Sequence, residues 1–177
     1  MNILKSNIVL IGFMGTGKTS TGRIIARRMK RKFVDTDELI EEDAGLSIKE
    51  IFKKKDEKYF RKIEKKVIKI VSDKKNLVIS TGGGIIKYPV NIKRLKKNGV
   101  VVALLSDEKV ILRRVSTQKD KRPLLNSGNR AQDQKRLREL LQKRLPLYFE
   151  AADYVVDASR LAPAQAAKKI LCVLKKD

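Results

Sequence analysis

The run Gly12-Phe13-Met14-Gly15-Thr16-Gly17-Lys18-Thr19 constrains this chain more than any other stretch, because it matches G-x-x-x-x-G-K-T in full. Its setting adds to the constraint. Residues 7 to 13, Asn-Ile-Val-Leu-Ile-Gly-Phe, form a continuous apolar run of the kind found in a parallel strand buried on both faces. From Lys18 to about Lys30 the residues Ile24, Ile25, Arg28 and Met29 recur at helical spacing. Glycines at such a strand-to-helix turn let backbone amides face a polyphosphate, and the helix adds its N-terminal partial positive charge. Lys18 then reaches the β- and γ-phosphates, and Thr19 can ligate Mg²⁺. Gly15, Thr16, Gly17, Lys18, Thr19 and Ser20 are thus expected to bind a nucleoside triphosphate. The loop says nothing of the acceptor.

The rest of the chain continues the alternation. Phe33-Val34-Asp35, Leu77 to Ser80, Val100 to Leu105 and Asp153 to Asp157 read as four further strands separated by helical segments. Ser47 with Glu50 makes a capping box, Pro89 and Pro163 suit first helical turns, and Asn98-Gly99 marks a helix end. Five apolar strands alternating with helices predict an α/β fold, a parallel sheet covered on both faces, with no linker or repeat dividing residues 1–177. Residues 116–130 fall outside the pattern, polar and rich in turn formers. They read either as a mobile lid or as a passive surface loop.

Composition narrows the chemistry. The chain has no histidine, so catalysis must run on Lys, Arg, carboxylates, hydroxyls and backbone amides. Its single cysteine, Cys172, cannot form an internal disulfide and reads as helix packing near the core. No apolar run is long enough to cross a bilayer, and the N-terminus lacks the pattern of a signal peptide, so a cytoplasmic protein is expected. A net charge of +22 raises a nucleic-acid partner, but the lysines are scattered as in Lys53-Lys54-Lys55 and Lys65-Lys66, the pattern of solvated helix faces. With five Phe, four Tyr and no Trp, stacking platforms for bases are scarce, and no specific nucleic-acid partner is expected.

The acceptor side shows a local reversal of charge. Six of the nine residues from Asp35 to Asp43 are acidic, starting where the second strand should end. On an extended backbone Asp35 and Asp37 would point to one side, into the crevice at the carboxyl ends of the strands, one serving a metal and the other an acceptor hydroxyl. The alternative is that they cap a helix beginning near Glu38. The third strand ends in Ser80-Thr81-Gly82-Gly83-Gly84, where many P-loop enzymes carry a metal-linked aspartate, so Asp35 is left as the partner of Mg²⁺ through water. The three glycines permit close approach to a small ligand. On the preceding helix Phe60, Ile63, Val67 and Ile70 form an apolar stripe, with Arg61 and Glu64 beside it at i and i+3, which could be no more than a surface ion pair.

Six segments together carry a specific resemblance: Gly12 to Thr19, Asp35-Thr36-Asp37, Phe60 to Glu64, Gly82 to Gly84, Arg122-Pro123-Leu124-Leu125 and Arg144-Leu145-Pro146-Leu147-Tyr148. In order, and over almost the whole chain, they resemble the shikimate kinases. The resemblance implies a P-loop kinase fold with a lid at about 116–130 and acceptor-binding helices at about 37–72, acting as a cytoplasmic monomer on ATP and shikimate with Mg²⁺. It implies that Asp37 holds shikimate hydroxyls, Arg61 and Arg144 its carboxylate, and Gly83 its ring, while Arg122 closes onto the phosphates and Arg160 lies near the adenine. Lys18, Asp37 and Arg122 would be catalytic. One departure stands out: where relatives usually show F-x-x-x-G-E, this chain has Asp56 in place of Gly between Phe52 and Glu57, a left-handed turn still open to Asp. The rival expectations are a kinase for another small polyol acid or a nucleotide, and a basic P-loop protein that binds nucleic acid.

Overall fold

The computed structural model describes residues 6–116 and 129–175. Five strands form one wholly parallel sheet: β1 (Asn7–Ile11), β2 (Lys32–Asp35), β3 (Leu77–Ser80), β4 (Gly99–Leu105) and β5 (Tyr154–Asp157). Their spatial order is β2-β3-β1-β4-β5, so β1 lies at the centre and every residue of it is buried. Asn7 fastens its start. The side chain donates to Lys74 O at 2.7 Å and accepts from Leu77 N at 2.9 Å, joining β1 to the beginning of β3.

Among the described residues eight α-helices cover the sheet: α1 (Lys18–Met29), α2 (Thr36–Ala44), α3 (Ile48–Lys54), α4 (Glu57–Ser72), α5 (Pro89–Lys97), α6 (Glu108–Ser116), α7 (Arg130–Ala151) and α8 (Pro163–Val173). Because the strands alternate faces, two cores result. One gathers Val9, Ile11, Ile79 and Val101 with Ile63, Ile68 and Tyr148, while the other gathers Ile8, Leu10, Val100 and Val102 with Ile25 and Ile170. The expected α/β class, the five strands and the capping box at Ser47 and Glu50 are all present, as are both first-turn prolines.

Several local expectations need correction. Helix α2 begins at Thr36 rather than near Glu38, and Asp35 is its N-cap, accepting from Asp37 N at 3.1 Å. The α4 stripe leaves out Ile70, which is 46% exposed, and runs instead through Phe60, Ile63, Val67, Ile68 and Val71. At about 100° per residue Val71 returns to the azimuth of Phe60 within about 20°, whereas Ile70 falls about 80° short. Asp56 is not left-handed: its backbone is extended, and its side chain caps α4 by accepting from Tyr59 N at 2.7 Å. Cys172 is exposed, because Ala166, Ala167, Ile170 and Leu174 define the buried face of the last helix. Gly99 follows the end of α5, but its role is space: a Cβ there would lie 2.9 Å from Leu95 O and 3.1 Å from Asn7 O. The segment 117–128, with Arg122 and most of the expected lid, lies outside the described residues.

Candidate active site

The loop after β1 is shaped by its glycines. Gly15 and Gly17 take positive φ of 79° and 94°, so the chain turns with its amides inward, and α1 starts at Gly17 without a side-chain cap on its first N–H groups. Those amides and the helix dipole face a cavity of about 380 Å³. Lys18 is buried at 8% exposure, and its Nζ spans the loop by donating to Gly12 O at 2.9 Å and Phe13 O at 3.0 Å. Gly15, Thr16, Gly17, Lys18, Thr19 and Ser20 all line this cavity.

Beside them sit the acidic residues. Thr19 Oγ1 donates to Asp35 Oδ2 at 2.9 Å and lies 3.4 Å from Ser80 Oγ. Asp35 therefore both caps α2 and reaches the P-loop, so the two readings of this residue are not exclusive. Asp37, one residue inside the helix, also lines the cavity, and its Oδ1 is buried without a hydrogen-bond partner. Burial, and then the charge of Asp35, push its carboxyl up to about 7, against the pull of Lys18 and with smaller pushes from Glu64 and Glu41.

The three glycines after β3 bring the remaining groups together. At Gly82 a Cβ would lie 2.5 Å from Asp37 Oδ1, and at Gly84 one would lie 2.8 Å from Arg61 Nη2. Between them the Gly83 carbonyl accepts from Tyr148 Oη at 2.6 Å and from Arg144 Nη1 at 3.3 Å. Each glycine is therefore backed by one of the expected acceptor residues. Arg61 is no surface pair: Nη1 donates to Glu64 Oε1 and Oε2 at 2.9 and 2.8 Å, and Glu64 is 2% exposed. Its Nε and Nη2 meet Glu57 Oε1 at 3.2 and 3.1 Å, and the guanidinium packs over the rings of Phe60 and Tyr88. Burial raises the Glu64 carboxyl against the pull of Arg61.

Gly83 and Asp37 line the cavity itself, while Arg61 and Arg144 stand behind the glycine loop. Arg160 is exposed on the turn after β5, and its neighbours Ala158 and Leu161, not its own side chain, reach the cavity with Pro163 and Ala166. Those small and apolar groups, with Arg114 opposite and bonded to Gly15 O at 3.2 Å, offer a slot for a flat base. The sequence gives Ser80 and Leu161 no role of their own; only their places, at the carboxyl end of β3 and in the turn after β5, mark them. Arg122 lies outside the described residues.

A family model described as shikimate kinase matches residues 14–175. The chain is 50% identical over 165 residues to the shikimate kinase of Thermodesulfovibrio yellowstonii, covering 93% of this chain and 92% of that one. It is 48% identical over 165 residues to the shikimate kinase of Caldanaerobacter subterraneus, covering 93% and 94%. Among solved structures, the Acinetobacter baumannii shikimate kinase in complex with shikimate superposes with a TM-score of 0.90 at 39% identity, over 97% of this chain and 93% of that one. A Sinorhizobium meliloti gluconokinase, at 16% identity and a TM-score of 0.57 over 99% and 94% of the two chains, shares the fold alone. With a matching family model and close relatives spanning nearly its whole length, the chain belongs to the shikimate kinase family.

Proposed function

We propose that the chain transfers the γ-phosphoryl group of ATP to the 3-hydroxyl of shikimate, giving shikimate 3-phosphate and ADP. The observation that carries this reading is the placement of Asp37: a carboxylate with an orphan buried oxygen, in the same cavity as Lys18 and the P-loop amides, against the glycine loop that Arg61 and Arg144 back. A buried acceptor atom without a partner costs stability unless a ligand supplies the donor, and a substrate hydroxyl does so.

In the proposed reaction the bond from the γ-phosphorus to the ADP oxygen breaks as the bond to the shikimate oxygen forms. Lys18, the loop amides and Arg122 hold the transferring charge, Gly15 to Ser20 position the triphosphate, and the turn around Arg160 borders the adenine. Asp37 orients the hydroxyl and accepts its proton, which a carboxyl titrating near 7 can do at neutral pH. Arg61 and Arg144 bind the shikimate carboxylate, and Gly83 meets its ring. Thr19, Ser80 and Asp35 offer hard oxygen donors side by side, the donor type that suits Mg²⁺, which Thr19 would hold directly and Asp35 through water. When bound, that ion would neutralise phosphate charge. We place the reaction in the cytoplasm and in a monomer; among the described residues no helix is long and apolar enough to cross a membrane.

A coupled ADP-release assay over shikimate, gluconate and nucleoside monophosphates tests the assignment. Activity with shikimate alone is the expected result, and activity only with the other two overturns it.

A further inference from the structure

A second cavity lies on the far side of Arg61, between the start of α4 and the start of α5. Three features of it are independent of the site above. Helix α5 opens at Pro89 with Tyr88 as N-cap, no side-chain cap and no acidic residue in its first turn, so although Asn91 N donates to Tyr88 O at 2.9 Å no negative charge of the helix itself offsets its positive end beside the cavity. Asn91, in the first turn, lines the cavity at 2% exposure, and its Oδ1 is buried without any hydrogen-bond partner. Lys58, Lys62 and Lys65 stand along one side at helical spacing, and among the described residues none of them forms an ion pair.

These features differ in what they ask of a ligand. Lysines and an uncapped helix start favour an anionic group. The walls favour something else, for the rings of Tyr59 and Tyr88 and the half-exposed Val90 present apolar surface. The orphan Asn91 oxygen calls for a hydrogen-bond donor. A burial of this kind is costly where it serves structure alone, since leucine would fill the same space without the penalty.

We propose that this cavity is a binding site for a small ring carboxylate bearing a hydrogen-bond donor, separate from the acceptor site. The carboxylate meets Lys58, Lys62 and the start of α5, the ring lies between Tyr59 and Tyr88, and the donor bonds Asn91. The site is coupled to the acceptor side through one residue, because the Arg61 guanidinium sits over the Tyr88 ring at 5.3 Å, lines this cavity and backs Gly84 of the glycine loop. Occupancy therefore changes the handling of the acceptor and leaves that of ATP alone. That coupling rests on the role proposed for Arg61; the binding itself does not.

The test uses 4-hydroxybenzoate as the probe and the full-length, ¹⁵N-labelled chain with ADP and shikimate at saturating concentration, so that the acceptor site is filled. Amide shifts are expected at Tyr59, Lys62 and residues 88–91, with a Kd no weaker than about 1 mM. The Lys58→Gln/Lys62→Gln variant should weaken binding at least about tenfold, the size expected for losing a hydrogen bond to a charged group. The uncharged probe 4-hydroxybenzyl alcohol should bind at least as weakly. Asn91→Leu should raise the melting temperature while abolishing the shifts. Shifts confined to residues 82–84 and 144, an unchanged Kd in the lysine variant, or a destabilised Asn91→Leu that still binds would each overturn the proposal. If the chain proved inactive on shikimate, the titration could be repeated with ADP alone, and the location of the shifts would still decide the matter.

Discussion

Arg61→Lys separates a substrate-gripping arginine from a merely structural one, and the geometry fixes what to expect. A guanidinium has five N–H donors. In Arg61 both of those on Nη1 go to Glu64, while Nε and one on Nη2 go to Glu57 Oε1, which leaves a single donor for an acceptor. To hold a carboxylate side-on, Arg61 must release one acid. Glu57 is the exchangeable partner, being 51% exposed and already served by Lys87 at 2.9 Å, whereas Glu64 is almost fully buried. The Nε and Nη2 edge then becomes the fork, and Glu64 fixes its orientation. A lysine keeps the charge and three donors but has no planar fork with which to hold the substrate carboxylate side-on while Glu64 fixes its orientation. The loss should be about 1.5 to 3 kcal/mol, or about ten- to more than a hundred-fold in kcat/KM for shikimate, with ATP kinetics nearly unchanged. Glu57→Gln should move shikimate handling the other way by no more than about fivefold, the scale of an exposed ion pair. Glu64→Gln should give a smaller loss than Arg61→Lys, and the two together less than their sum. Steady-state kinetics with both substrates varied decide it. Equal effects on ATP and shikimate, or a Glu57→Gln loss as large as that of Arg61→Lys, would refute the exchange.

Lys18→Met should keep the fold but lower turnover by a few orders of magnitude, since it removes a buried positive charge from the phosphate loop; near-normal turnover in the same assay would count against the site. Asp37 gives a pH signature with a defined sign. Its carboxyl rises from 3.8 to about 7 on folding, so between those values the folded chain holds the extra proton and stability falls as pH rises, levelling off above about 7. Asp37→Asn should therefore raise the melting temperature more at pH above about 7 than near 4 while nearly abolishing turnover, and a pH-independent gain would argue against the raised pKa. Gly82→Ala should strongly impair shikimate use and spare nucleotide binding, because its methyl would fall 2.5 Å from Asp37 Oδ1; equilibrium binding of each substrate checks the contrast.

Much of this was legible in the sequence because it rests on local rules. The buried strands, the P-loop and the Ser47 box depend on residues close in the chain, so periodicity and spacing expose them. The expected pairing of Asp35 and Asp37 on one side of the crevice reached the right cavity by the wrong route, since a helix starts at Thr36 and only the cap residue is extended. What the sequence hid was tertiary. Whether Arg61 and Glu64 form a solvated pair or a buried one depends on Tyr88 and Phe60 closing over the guanidinium, and Tyr88 is 27 positions away. Cys172 looked like packing because its neighbours are apolar, but the azimuth set by Ile170 and Leu174 turns it outward.

The glycine loop explains why acceptor residues from distant helices can act on one small molecule. Asp37 comes from α2, Arg61 from α4, and Arg144 with Tyr148 from α7, and these elements approach β3 from different directions. Any side chain at 82 or 84 would hold Asp37 or Arg61 away, and the Gly83 carbonyl fixes the third group through two donors. Tyr148 is the firmer of the two, fully buried and 2.6 Å from that oxygen, with burial raising its hydroxyl well above the usual range so that it stays a donor. Register along β3 thus sets all three contacts at once. Because β3 pairs with β1 in the sheet, the same register sets their distance from the phosphate loop, so strand pairing spaces the acceptor and donor sites, and the Arg144 guanidinium over the Phe13 ring at 5.7 Å joins them directly.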